Sequence, residues 1–195
     1  GVVGTPCQMT AIAKMRTNPL GRKDFKDPTA LLIGLFCTWA VDTRQLISLA
    51  AEKTDIATII GMDIPPPPAE IFILKTTTGE IRIPLDEIRS IIPKGCRLCP
   101  DMTCEWADVS VGAFEGRPGW NTLIIRTQKG EGLVNGAVAA GYLVLDTLPE
   151  MSISHLSAGA RNKKQKGLAN QKKEDAFQAE NRNTKAPAAV MVGFR

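Results

Sequence analysis

Five cysteines carry the chemistry that this sequence offers: Cys7, Cys37, Cys96, Cys99 and Cys104. Cys96 and Cys99 stand in Gly95-Cys96-Arg97-Leu98-Cys99-Pro100-Asp101. Two thiolates three positions apart can grip one metal centre when a turn points both sulfurs inward. The same spacing suits a dithiol redox pair, but such pairs open a helix after a strand, and here Pro100-Asp101 follows. Cys7 comes just after a short apolar stretch, Gly1–Val3, and Cys37 just after a second, Ala30–Phe36. If these are neighbouring strands of one sheet, both sulfurs reach the same rim. A four-thiolate site of Cys7, Cys37, Cys96 and Cys99 is then geometrically natural, and it suits zinc or an iron–sulfur cluster. Lys94 and Arg97 bracket Cys96 and can offset the negative charge of such a centre. The plainer alternative makes Cys7 and Cys37 buried apolar residues. With His155 as the single histidine, an all-thiolate site is favoured over a mixed one. The odd cysteine count argues against a disulfide framework and for a reducing, cytoplasmic setting.

A second constellation runs from Ala107 to Trp120, where a strand feeds a loop containing Gly112, Gly116 and Gly119. Glycine lets backbone approach a flat ligand or a phosphate closely. Arg117 could pair with phosphate and Trp120 could stack on a ring. No G-x-G-x-x-G fingerprint occurs, and taken locally the pattern favours a plain hairpin loop with a core tryptophan. The acidic pair Asp86-Glu87 suits the first turn of a helix rather than catalysis. No role is assigned to His155.

The elements that must position these residues can be read from pattern. Short strands are expected at Gly1–Val3 and Ala30–Phe36, with a helix from Met9 to Arg16 between them. A helix capped by Asp42 or Thr43 runs to Lys53. The prolines Pro65 to Pro68 form a stiff extended spacer. Glu70–Thr77 and Glu80–Pro84 read as a hairpin turning at Thr78-Gly79, followed by a helix over Leu85–Ile92. Cys96 to Cys104 is expected as a compact loop. Ala107–Ala113 and Asn121–Thr127 read as strands, Gly130–Gly141 as a helix of small residues, and Tyr142–Leu145 as a short strand. The expected fold is α+β: one mixed β-sheet with covering helices, cysteine-bearing loops suited to zinc or an iron–sulfur cluster, and a basic C-terminal tail, helical or disordered.

The 195 residues suit one domain with an appendage, and 44% hydrophobic with 23% charged residues excludes a collagen-like or wholly disordered chain. The apolar runs are far short of the roughly 20 residues a membrane span needs. The opening Gly1-Val2-Val3-Gly4 reads as a strand already under way, so a portion of a longer polypeptide is expected. The net charge of +4 is uneven: residues 151–195 carry nine basic and three acidic side chains, and the first 150 are slightly acidic. The near-neutral body gives no hint of nucleic acid. The tail reads as a solvated or partner-facing arm.

Six segments together carry a family resemblance. They are Gly4-Thr5-Pro6-Cys7-Gln8, Ile33-Gly34-Leu35-Phe36-Cys37, Gly95 to Asp101, Ala107 to Gly112, Gly119-Trp120-Asn121-Thr122 and Ile125-Arg126-Thr127. In this order the chain resembles the C-terminal region of the coenzyme F420 hydrogenase/dehydrogenase beta-subunit family. That family includes the beta subunits of F420-reducing hydrogenase and formate dehydrogenase and the plant hydroxymethyl-chlorophyll reductase. The resemblance implies a cytoplasmic flavin- and iron–sulfur-dependent oxidoreductase subunit. FAD would exchange a hydride with coenzyme F420, and a [4Fe–4S] cluster would pass single electrons to or from a partner hydrogenase, formate dehydrogenase or heterodisulfide reductase. The family's cysteine motifs fall on Cys7, Cys37, Cys96 and Cys99. Flavin contacts are expected at Gly4, Thr5, Pro6, Gln8, Gly112, Gly116, Arg117, Gly119, Trp120 and Arg126. Residues 1–145 would be the flavin/iron–sulfur domain and 146–195 the tail. Cys104 departs from the family pattern and reads as a spare thiol or a substitute ligand. The alternative is a zinc-binding structural module within an assembly of several subunits.

Overall fold

The structure, a computed structural model, describes residues 1–18, 24, 26–65, 68–114 and 117–184. Parts of the expected loop after Thr17, Pro66 and Pro67 of the proline spacer, Gly116 and the chain beyond Thr184 lie outside the described residues.

Strand β1 (Val2–Gly4) enters helix α1 (Pro6–Thr17) through a reciprocal cap. The Thr5 amide donates to the Gln8 side-chain oxygen at 2.8 Å, which satisfies a donor that a helix start otherwise leaves free. The chain returns as β2 (Leu32–Leu35), which pairs parallel to β1 with Gly4 opposite Gly34. Arg16 near the end of α1 is tied to Asp27 and Thr29, which fixes the return. Asp42 caps α2 (Thr43–Ala51) by accepting the Arg44 and Gln45 amides.

A small antiparallel sheet is then inserted: β3 (Ile59–Asp63), β4 (Ile71–Thr76) and β5 (Gly79–Pro84). Thr76 pairs with Gly79, so the hairpin turns on Thr77-Thr78, one residue earlier than the sequence pattern suggests. Two short helices follow, α3 (Leu85–Ser90) and α4 (Lys94–Leu98). The chain then rejoins the first sheet as β6 (Val109–Ala113), parallel to β2, and β7 (Asn121–Ile125), antiparallel to β6. Helix α5 (Gln128–Ala139) is capped by Thr127, and α6 (Glu150–Thr184) closes the described chain.

The architecture is α+β, with two sheets where one was expected: a four-stranded mixed sheet in the order β1-β2-β6-β7 and the three-stranded insert. Strand β3 was missed in the sequence because its residues alternate weakly and follow a turn capped by Asp55. Tyr142–Leu145, expected as a strand, has no regular structure. Gly141 turns the chain at φ +76°, and Tyr142 and Val144 stand exposed without a partner strand to cover them.

Each sheet has its own core. Phe72, Leu74, Ile83, Leu85, Ile88 and Ala50 fill the insert. Met9, Leu32, Cys104 and Ala107 fill the larger sheet. Full burial of side chains of this kind stabilises by about 1.5–3 kcal/mol each. In the second core Gly34 lies directly beneath Cys104: a Cβ on Gly34 would come 2.2 Å from the Cys104 Cβ and 2.9 Å from the Ala107 Cβ.

Gly34→Ala is therefore expected to cost about 1–3 kcal/mol, as overpacking does where neighbours cannot yield. A lower denaturant midpoint with an unchanged slope would show it, and a wild-type midpoint would refute the packing account. On α6, Glu174 accepts hydrogen bonds from Lys94 at 2.7 Å and from Gln178, and these hold its carboxyl below the usual glutamate range. A depressed folded-state pKa means this tether is fully present above the ordinary glutamate value and is lost as pH falls through the lowered one. Amide exchange around residues 170–178 is expected to quicken on acidification, and Glu174→Gln should quicken it already at neutral pH.

Candidate thiol centre

The parallel strands β1 and β2 end on the same edge of the sheet, the edge at which open α/β sheets present ligand sites. Cys7 follows β1 as the second residue of α1, exposed, with its sulfur 3.3 Å from the Thr5 hydroxyl. Cys37 follows β2, half-buried, and its amide donates to the Met102 carbonyl at 2.9 Å. The sequence pattern makes 96–104 a loop throughout, but α4 contains Cys96 and Cys99 caps its C-terminal end. The Cys-x-x-Cys pair thus closes a short helix instead of opening a long one, which is unlike a dithiol redox motif. The Cys99 thiol donates to the Asp101 carbonyl at 3.4 Å.

Cys37 is where these thiols converge. Burial pushes its thiol pKa up, the Lys163 charge draws it down, and Cys96, Cys7 and Cys99 each push it up. Three sulfurs from two other stretches of chain therefore lie within electrostatic reach of the fourth. Among the described residues, no three His, Cys, Asp or Glu side chains are drawn together tightly enough to hold a single metal ion. Four cysteine thiolates are the donor set both of a structural zinc ion and of an iron–sulfur cluster.

Cys104 is outside this set. It is fully buried, its thiol donates to the Leu35 carbonyl at 3.1 Å, and burial and Asp101 raise its pKa to about 12. It packs in the core of the larger sheet with Met9, Leu32 and Ala107 and is not among the residues that line the cleft beside the thiols. Its backbone takes φ +57°, uncommon for a side-chain-bearing residue, and the loop around it is heavily tied. Asp101 accepts the Thr103 and Glu105 amides, the Ser110 hydroxyl donates to the Cys104 carbonyl, and Arg126 donates to Ser110 and Thr103.

Beside the thiols lies a cleft of about 1450 Å³. Cys37, Cys96 and Cys99 line it together with the aromatic faces of Phe36, Trp39 and Phe114. One wall is helix α6, the segment that the sequence suggests is a solvated or partner-facing arm. It instead lies across the thiol-bearing loops. A Cβ on Gly167 would come 2.7 Å from the Cys99 carbonyl oxygen, so only glycine permits this approach. Asn170 and Gln171 donate to the Arg97 and Leu98 carbonyls at 2.9 and 2.8 Å, satisfying acceptors that the end of α4 leaves free. Lys163 donates to the Cys37 carbonyl, and Lys164 pairs with Glu105. Gly159, Lys163, Gly167, Asn170 and Glu174 recur at three- and four-residue steps, a one-face helical stripe already visible in the sequence. The surrounding lysines and glutamines obscured it.

None of Gly4, Thr5, Pro6, Gln8, Gly112, Arg117, Gly119, Trp120 or Arg126 is among the cleft-lining residues, and Gly116 lies outside the described residues. Thr5, Pro6 and Gln8 build the cap of α1. Gly112 leaves room for the Phe36 ring, which a Cβ would meet at 1.9 Å. The Arg117 guanidinium stacks 3.8 Å from the Trp120 ring and pairs with Asp146. Gly119 turns the loop at φ +81°.

Comparison with known proteins gives this geometry its relatives. Residues 1–151 match the family described as the C terminus of the coenzyme F420 hydrogenase/dehydrogenase beta subunit. The coenzyme F420 hydrogenase subunit beta of Methanothermobacter thermautotrophicus is 31% identical over 179 residues, covering 88% of this chain and 63% of that protein. The coenzyme F420-dependent sulfite reductase of Methanocaldococcus jannaschii is 36% identical over 148 residues, covering 69% of this chain and 23% of that protein. Among solved structures, a chain of the xenon-derivatised F420-reducing [NiFe] hydrogenase complex from Methanosarcina barkeri aligns with a TM-score of 0.73 at 29% identity, covering 94% of this chain and 61% of that one. The chain thus spans about three fifths of the length of the hydrogenase beta subunits it matches, and it belongs to the coenzyme F420 hydrogenase/dehydrogenase beta-subunit family, C-terminal region.

Proposed function

We propose that the chain is the cluster-bearing portion of an electron-transfer subunit in an F420-linked oxidoreductase complex. The observation that carries this reading is geometric: Cys7 and Cys37 follow the neighbouring parallel strands β1 and β2, and Cys37, Cys96 and Cys99 line one aromatic-walled cleft. The names of the relatives, hydrogenase beta subunits and an F420-dependent sulfite reductase, support the F420 link. A hydrogenase is the favoured partner class because the aligned structure is a hydrogenase complex. A formate dehydrogenase or heterodisulfide reductase module would serve the same chemistry.

Cys7, Cys37, Cys96 and Cys99 would hold a [4Fe–4S] cluster. Phe36, Trp39 and Phe114, with Arg97 and Lys166 on the same cleft, offer flat apolar faces and positive charge to a cofactor of the FAD class. Together these groups, when bound, supply hydride exchange with coenzyme F420 on one side and single-electron transfer on the other. The chain's own residues would do the positioning. The Thr5–Gln8 cap sets the direction of Cys7, and Gly112 seats Phe36. Arg126 holds Thr103 and so fixes the loop that receives the Cys37 amide. No acid–base side chain is required in this scheme.

Anaerobic isolation of the full-length subunit, with iron, sulfide, zinc and flavin measured per chain, tests the proposal. Iron and sulfide in equal amounts and a broad visible shoulder are expected. Serine at Cys7, Cys37, Cys96 or Cys99 should abolish or degrade the cluster. Cys104→Ala should keep the iron and lose about 1–3 kcal/mol of stability. Zinc at one per chain, with no iron or sulfide, would sink the electron-transfer reading in favour of a structural zinc module.

A further inference from the structure

Several cations of α3, α4 and α6 lie around the thiol centre, and their engagements differ. Lys164 is spent on Glu105 at the surface, and Lys94 on Glu174. Arg97 donates to the Arg89 carbonyl, and Arg89 itself pairs with Asp86 and Glu70. Lys163 alone among the described lysines and arginines donates to the backbone of one of the four cysteines, at the Cys37 carbonyl, and it lines the cleft with Cys37, Cys96 and Cys99. Its half-buried position keeps water from screening it fully, so its charge acts more strongly there than on an open surface.

We infer that Lys163 is a positioning residue of this centre: its ammonium locks the Cys37 loop in place and sets one fixed positive charge against the four sulfurs. The inference rests on the cluster reading of those thiols only in its second half. The lock concerns the protein alone. The charge matters because adding an electron to a thiolate-held cluster adds negative charge, which a fixed cation stabilises, so the reduced state gains more than the oxidised one. The stripe of Gly159, Gly167, Asn170 and Gln171 explains how a lysine on a C-terminal helix is delivered to a site built at the far end of the chain.

Two measurements on the full-length subunit separate the halves. In the first, hydrogen exchange is followed at the Cys37 amide, which is bonded to Met102. Lys163→Ala should speed its exchange about tenfold or more, and Lys164→Ala should leave it unchanged; equal exchange in wild type and Lys163→Ala overturns the lock. In the second, the iron-loaded protein is titrated potentiometrically with EPR detection. Lys163→Gln should change the oxidised-to-reduced ratio about tenfold at fixed potential, which is about 59 mV toward more negative values for one electron. Lys163→Arg should retain the wild-type potential. A Lys163→Gln midpoint equal to wild type, or an equal shift in Lys164→Gln, overturns the charge role. Wild-type protein that binds no iron would count against the cluster reading, and the exchange measurement would still decide the lock.

Discussion

Where the chain returns from α4 toward the larger sheet, Cys104 is pressed onto Gly34 with no room for a further carbon, and its backbone is turned into a left-handed conformation. Asp101, Ser110 and Arg126 hold that turn by hydrogen bonds on three sides. The rest of the site depends on it. Because residues 101–104 are pinned against β2, the Met102 carbonyl reaches the Cys37 amide, and Cys99 comes to the same rim as Cys37. A residue held in this unfavourable region persists only where its surroundings over-determine it, and such places cluster at functional sites. The strain here is adjacent to the thiols, not at them.

The second constraint is electrostatic. Burial, and then the neighbouring thiols of Cys96, Cys7 and Cys99, raise the cost of ionising Cys37, while the Lys163 charge lowers it. The chain answers with α6. The body of the protein is slightly acidic, and the basic excess of residues 151–195 is delivered in part across the thiol-bearing loops. The same helix closes the end of α4 through Asn170 and Gln171, so one element supplies both the missing hydrogen bonds and the compensating charge. Helical propensity alone would not hold a polar 35-residue helix to the surface; these anchors do.

Membership of the F420 hydrogenase/dehydrogenase beta-subunit family fits this plan. The family match ends at residue 151, before most of α6 begins, yet the aligned hydrogenase chain covers 94% of the protein. The helix therefore extends the described site beyond the stretch that the family pattern reads.

Much of this was legible from residue order. Cys7 and Cys37, each placed just past a short apolar run, pointed to neighbouring strands of one sheet sharing a rim, and the parallel pairing of β1 and β2 puts both strand ends on one edge. The Asp42 cap, the Glu80–Pro84 return strand and the small-residue helix after Thr127 were likewise local, set by capping and alternation within a few residues. Four matters belonged to the tertiary structure. The sheet divides in two because the insert builds its own core around Leu74, Ile83 and Ile88, and no local pattern reports which core a strand joins. Cys104 is a core residue because it meets Gly34, far away along the chain. Arg126 is tied to the 101–104 loop because Thr103 and Ser110 are brought to it. The tail is a wall of the cleft because Lys163, Gly167, Asn170 and Gln171 find carbonyl groups of Cys37 and residues 97–99. Sequence by itself determined which thiols are candidates for a metal or redox centre and that two of them, Cys7 and Cys37, follow strands. The long-range contacts decided which of them meet, since each depends on groups that only the folded chain places within hydrogen-bonding distance.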